Sequence, residues 1–248
     1  MNSFEQILEA ARKAGPARFV VAQAADGTIL EALAQARAAG FAVPVLVGSR
    51  DEIAAAAREH SVDIAGWQIH EVKTPAEAAV EAVRCVARGD GDILVKGHLA
   101  SADLLRAVLS KSNGLATGRI LSHVGVFKFA ESDRFYFVTD AALCIAPDYN
   151  QKIDIVQNAV DLAHKLGIAQ PIVAILCAIE TVNPEMPATV DAASLSKMAE
   201  RGAIRGARVE GPLALDNAVS VEAARHKGIT SELAGKADIL VAPNIEAA

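Results

Sequence analysis

Cationic, hydroxyl, imidazole and carboxylate groups gather in one stretch of this chain, residues 92–140, DILVKGHLASADLLRAVLSKSNGLATGRILSHVGVFKFAESDRFYFVTD. Two apolar runs in it, DILV and FYFVT, break off at Lys96-Gly97-His98 and at Thr139-Asp140. Between them GRILSHVGVF sets Arg119, Ser122 and His123 close together. A planar guanidinium such as that of Arg119 suits a phosphate gripped by two parallel hydrogen bonds. Lys96 with the free N–H groups of a following helix would make a second anion site. The alternative is a plain loop, in which Gly97 permits an unusual backbone conformation, Ser101 caps the helix and Asp103 sits in its first turn. Ser122 and His123 are adjacent, so on a strand they point to opposite sides, which argues against a Ser–His pair. His123 then acts alone as donor or acid/base, or is a satisfied structural residue. Asp140 either acts chemically or accepts the backbone N–H bonds that hold its own loop.

Three further loops carry similar groups. EGPLALDNA (residues 210–218) has Gly211-Pro212 breaking the chain after a strand, and Asp216 as an N-cap or a ligand group. ETVNPEMPAT (residues 180–189) follows the most apolar run, with Thr181 and Asn183 nearest its end. PNIEA (residues 243–247) contributes Asn244 and Glu246. No GxGxxG, GxxxxGK[ST], GxSxG or HExxH occurs, so nothing local argues for dinucleotide, P-loop, serine-hydrolase or zinc chemistry. Cys85, Cys144 and Cys177 lie scattered inside apolar runs and read as small core residues of a reducing compartment rather than as metal ligands.

The elements that must position these groups alternate regularly. Strands are expected at residues 17–23, 42–48, 67–72, 92–95, 135–139, 171–179, 207–211 and 238–243. Helices fill most of the gaps. Ser49 with Glu52, and Thr74 with Glu77 behind Pro75, read as capping boxes. Asp148 with Gln151 caps a helix over residues 149–166, whose Ile153, Val156, Val160 and Ala163 share one face. A helix is expected from about Asp191 to Gly202, and another through Val221 to Lys227. Such alternation with short connections implies α/β architecture with mostly parallel sheets and helices on both faces, an α/β/α sandwich. The most polar central connection, residues 128–134, is the expected boundary between two lobes, residues 1–130 and 131–248, with a cleft between them.

The chain has 248 residues, 52% of them hydrophobic and 22% charged, enough to bury a sizeable core. A formal net charge of -6 gives no electrostatic footprint for nucleic acid. The acidic, amphipathic N-terminus lacks the apolar stretch of a signal peptide, and no run reaches a membrane-spanning length. These features point to a soluble, cytoplasmic protein with neither a nucleic-acid nor a membrane partner.

Taken in order, DILVKGHLASADLLRAVL, GRILSHVGVF, FVTDAALCIAPD, ETVNPEMPAT, EGPLALDNAVSVEAARHKG and ADILVAPNIEA resemble the phosphate acetyl/butyryl transferase family over nearly the whole chain. The resemblance implies a two-lobed fold like that of isocitrate and isopropylmalate dehydrogenases, and a homodimer. It implies the reaction acyl-CoA plus phosphate to acyl phosphate plus free CoA, with no covalent intermediate, no metal and CoA only as a substrate. Arg119 matches a position implicated in CoA binding, and Lys96, Gly97, Thr181, Asn183 and Asn244 are taken with it as substrate-binding. Ser122, His123, Asp140 and Asp216 are taken as catalytic. The resemblance further implies a segment beyond the PNIEA motif, carrying a Ser-Arg and an Asp, so the second lobe is expected to be incomplete at its C-terminal end. Two rivals accompany this reading: a catalytically impaired CoA- or phosphate-binding protein of the same fold, and a nicotinamide dehydrogenase, which the missing dinucleotide signature disfavours.

Overall fold

A computed structural model describes residues 2–129 and 132–248. The chain divides into two compact units: Leu8–Gly118, and Arg119–Ala248 joined by the residues up to Ile7. The division lies upstream of the polar connection at residues 128–134, of which Ala130 and Glu131 fall outside the described residues. The first helix, α1 (Phe4–Ala14), sets Phe4 edge-on against Phe135 at 5.1 Å.

Unit Leu8–Gly118 runs β1 (Ala17–Ala22), α2 (Gly27–Ala38), β2 (Ala42–Gly48), α3 (Arg50–Glu59), β3 (Gln68–Glu71), α4 (Pro75–Ala87), β4 (Ile93–Lys96) and α5 (Ser101–Leu109). Its sheet has the order β3-β2-β1-β4, with every pairing parallel. The central strands β1 and β2 are mostly apolar because alternate residues go to opposite faces and both faces are covered, whereas the edge strand β3 is largely polar. Val21 and Leu46 meet Leu30 and Leu33 of α2 and Ile53 and Ala57 of α3. Val20, Ala22, Val45 and Val47 meet Ala78, Ala82 and Cys85 of α4 on the other side.

The second unit adds β5 (Gly125–Phe127), β6 (Tyr136–Thr139), α6 (Tyr149–Lys165), β7 (Ile172–Leu176), α7 (Pro187–Glu200), β8 (Arg208–Leu213), α8 (Leu215–Val219), α9 (Val221–His226) and β9 (Ile239–Val241). The sheet order is β5-β6-β9-β7-β8, so the last strand is inserted in the middle; only β5 runs antiparallel. Phe137, Val173, Ile175 and Ile239 bury one face against α6 and α7, whereas Tyr136, Ala174, Leu213 and Leu240 bury the other against Ala218 and Ala224. Among the described residues no helix is long and apolar enough to cross a membrane.

Several local expectations need correction. The Thr74 and Asp148 boxes are reciprocal, but the Ser49 box is half-formed. There the Glu52 carboxylate accepts from Gln23 Nε2 at 3.4 Å. Ser101 is the first helical residue of α5, and its N-cap is Ala100, which has no side chain to cap with. Helix α7 begins at Pro187, upstream of Asp191, because proline is preorganised for the first turn. The buried face of α6 is Ile155, Val156, Ala159, Val160 and Ala163, and Ile153 is only half-buried. Strand β8 does not stop at Gly211-Pro212 but runs through it to Leu213, past an irregularity in its pairing with β7. As the edge strand, β8 tolerates the missing proline donor.

Candidate active site

All four parallel strands of the second unit end at the same edge of its sheet, so the loops after β6, β9, β7 and β8 carry Asp140, Asn244, Thr181 with Asn183, and Asp216 to that edge. Asp140 is 2% exposed. Its Oδ1 accepts from the N–H groups of Ala142 at 2.9 Å and Leu143 at 3.0 Å, while Oδ2 is buried with no hydrogen-bond partner among the described residues. Burial alone would raise its pKa, but the Ala142 and Leu143 amides and lesser partners outweigh it and hold the carboxyl below its ordinary value. The loop-holding alternative for Asp140 is thus met by Oδ1, while Oδ2 is unfilled among the described residues. Nearby Cys144 is a neutral thiol, pushed up to about 11 by burial and then by Asp140, which is unlike an activated cysteine nucleophile.

Arg119, Ile120 and Ser122 lie against helix α6, whose Asp154, Asn158 and Asp161 share one face at helical spacing. Arg119 donates to Asp161 Oδ2 at 2.7 Å, the Ile120 N–H donates to Asp154 at 3.1 Å, and Asn158 Nδ2 donates to Ser122 Oγ at 2.9 Å and to the Ile120 carbonyl at 3.0 Å. Arg119 remains 46% exposed and lines a groove of about 480 Å³ with Gln157, His164 and Arg205. Its pKa is raised, chiefly by the hydrogen bond to Asp161. His123 is exposed, and its carbonyl accepts from Thr139 Oγ1 at 2.7 Å.

Asp216 is not an N-cap; that place belongs to Ala214. Instead it forms a cluster whose other members carried no sequence signal. Lys227 Nζ lies 2.6 Å from Glu180 Oε1 and 3.1 Å from Asp216 Oδ2, and Asn217 Nδ2 donates to the same Glu180 oxygen at 2.6 Å. Asn217 is fully buried, and its Oδ1 finds no partner among the described residues. The Lys227 ammonium holds both carboxyls below their ordinary values, and the hydrogen bonds it donates to Glu180 first and Asp216 second raise Lys227. All three are thus charged near neutral pH.

Thr181 is exposed; the Asn183 Oδ1 accepts the Glu185 N–H at 2.9 Å, and the Asn244 Oδ1 accepts the Ala247 N–H at 3.0 Å, each closing its own turn. In the other unit, Lys96 donates to the Gly97 and Leu99 carbonyls at 3.3 and 3.2 Å. Gly97 does not have the left-handed backbone its type suggested. It is glycine because any Cβ would overlap the Ala22 and Gln23 carbonyls. The first N–H groups of α5 beside it have no side-chain cap.

With these positions fixed, comparison with known proteins is decisive. The chain matches the family described as phosphate acetyl/butaryl transferase over residues 3–79 and 72–248. It is 46% identical to a phosphate butyryltransferase of Clostridium acetobutylicum, spanning 99% of this chain and 82% of that protein. It is 44% identical to a phosphate acetyltransferase of Rhizobium meliloti, over 99% of this chain and 78% of the other. The chain belongs to the phosphate acetyl/butyryl transferase family. A branched-chain phosphotransacylase from Enterococcus faecalis has a similar structure, with a TM-score of 0.78 at 32% identity, covering 93% of this chain and 80% of that one. A phosphotransacetylase from Streptococcus pyogenes shares the fold with a TM-score of 0.82 at 19% identity, over 98% and 83% of the two chains. In this member of the transferase family, the pairing of Glu180 and Asp216 with Lys227 was invisible to motif reading, because none of the three has a local pattern. The one available hint was the position of Glu180 directly ahead of Thr181, in a loop already singled out.

Proposed function

We propose that this chain moves an acyl group, acetyl or butyryl, between coenzyme A and inorganic phosphate. The near full-length likeness to proteins named for each of those reactions carries the reading. In the direction of acyl phosphate, a phosphate oxygen attacks the thioester carbonyl and forms a tetrahedral oxyanion. The carbon–sulfur bond then breaks, and the departing thiolate takes up the proton that the phosphate gives up. Both substrates are anionic, so exposed cations are the groups to expect around them. Arg119, with one guanidinium edge on Asp161, serves CoA, and Lys96 with the uncapped start of α5 offers a further anion site. Asp216 stays ionised beside Lys227 and accepts a hydrogen bond from the phosphate hydroxyl or the CoA thiol, steering the proton. Asp140 offers its unfilled Oδ2, and Ser122 and His123 supply donors to the developing oxyanion. Thr181, Asn183 and Asn244 shape the loops around the acyl chain. With this reading go a cytoplasmic homodimer and CoA as a substrate that comes and goes. Trapping of acyl phosphate by hydroxylamine, from butyryl-CoA or acetyl-CoA with phosphate, tests it. Hydroxamate is expected; binding of CoA with no hydroxamate from either thioester would make the chain a binding protein instead.

A further inference from the structure

Three metal-ligating atoms meet on the unit Leu8–Gly118, at side chains given no part in the acyl-transfer reading. His70 lies on β3, the edge strand of its sheet, and Glu81 and Cys85 lie one turn apart on α4. His70 Nδ1 is 3.3 Å from Glu81 Oε1 and 3.6 Å from Cys85 Sγ, and Cys85 Sγ is 3.5 Å from Glu81 Oε1. A zinc-type ion bonds nitrogen and oxygen at about 2.0 Å and sulfur at about 2.3 Å, so its tetrahedron has edges of about 3.3 Å between nitrogen and oxygen and about 3.5 Å to sulfur. The three separations match those three edges. Among the described residues this is the one His/Cys/carboxylate group whose donor atoms all lie within 4.8 Å of one another.

The surroundings fit a first shell of this kind. Cys85 is buried, whereas the His70 and Glu81 side chains are 22% and 27% exposed, which leaves a solvent-facing vertex. The second ring nitrogen of His70 faces the Gln68 side-chain amide at 2.8 Å. Half a turn of that amide presents its oxygen to an Nε2 proton, which frees the Nδ1 lone pair for a metal. One group opposes the ion: Arg88 reaches Glu81 Oε1 at 3.0 Å and Cys85 Sγ at 3.4 Å. Arg88 is 48% exposed and also holds Asp90 at 3.1 Å, so it can turn outward without losing every partner.

We propose that His70, Glu81 and Cys85 form a tetrahedral site for a divalent ion of the zinc type, with water as the fourth ligand and Arg88 as the group the ion displaces. On binding, the Cys85 S–H bond breaks, its proton leaves to solvent and the sulfur bonds the ion without any change of oxidation state. The ion would clip edge strand β3 to α4.

Cobalt(II), which reports thiolate ligation and four-coordination in its absorption, is the probe for this site. Titration of the wild-type protein is expected to give one cobalt per chain, with a sulfur-to-cobalt charge-transfer band. Cys85→Ala and Cys85→Ser should lose that band; because Cys85 is buried, each should also lower the melting temperature of the metal-free protein while leaving it folded at the titration temperature. His70→Ala and Glu81→Ala should weaken binding by about tenfold or more, the scale on which even outer partners act. Arg88→Ala should tighten it. Absence of the band from wild type under excess cobalt would overturn the site, as would its persistence in Cys85→Ala, which would hand the thiolate to Cys144 or Cys177. Weaker binding in Arg88→Ala would overturn the displacement.

Discussion

Lys227 illustrates how a single side chain converts two separate loops into one charged cluster. Its ammonium draws Glu180 and Asp216 together, and both carboxyls titrate below their usual range as a result. Asp216→Asn removes one anion but leaves the shorter Lys227–Glu180 contact in place. Turnover is therefore expected to fall by about a hundredfold, the scale of a lost proton-handling group, with an unchanged melting temperature. A lowered melting temperature with full activity in the folded fraction would make the residue structural. Arg119 poses a similar choice, because it is bonded to Asp161 and yet half-exposed. An exposed pair of this kind contributes below about 1 kcal/mol, so Arg119→Ala should leave stability nearly intact. The same change should weaken CoA binding by about tenfold, read by calorimetric titration; unaltered affinity would remove Arg119 from the site.

Between elements, two ion pairs do different work. Arg18 at the start of β1 grips Asp92 just ahead of β4, with contacts of 2.7 and 2.9 Å and a further bond from the Arg18 N–H. The Arg18 side chain, and then its N–H, hold the Asp92 carboxyl down at about 2, against an ordinary 3.8. A depressed carboxylate stabilises the fold above its unfolded value. This contribution is complete above about pH 4 and is lost as pH falls through about 2. Acid unfolding of Asp92→Asn should show a shallower pH dependence in that window; an unchanged curve would mean the pair adds nothing. Lys152 of α6 and Asp191 of α7 meet at 2.6 Å with the lysine side chain only 7% exposed. Asp191→Ala strands that ammonium and is expected to cost about 3 kcal/mol in urea unfolding, whereas Lys152→Met with Asp191→Leu should recover most of it. A single variant as stable as wild type would contradict the buried-pair reading.

At the level of the whole molecule, the alternation of apolar strands and capped helices was legible because each is a local pattern. Strand β2 falls at residues 42–48 as read, and the Thr74 and Asp148 boxes close as read. What escaped the sequence depends on distant partners. Glu52 turns to Gln23 rather than back to Ser49, and β5 is a strand only because β6 lies beside it. Gly97 is fixed by two carbonyls of another strand end, and Glu180 finds Lys227 far along the chain. Family likeness supplied the function where spacing left alternatives open, since each strand-end loop had a plain structural reading as well. The central claim is direct acyl transfer between CoA and phosphate, and its most direct test is exchange of labelled free CoA into unlabelled butyryl-CoA. Direct transfer requires no exchange without phosphate and ready exchange once phosphate is added, through reversible formation of butyryl phosphate. Exchange without phosphate would reveal an acyl-enzyme, and none under either condition would contradict the transferase reading.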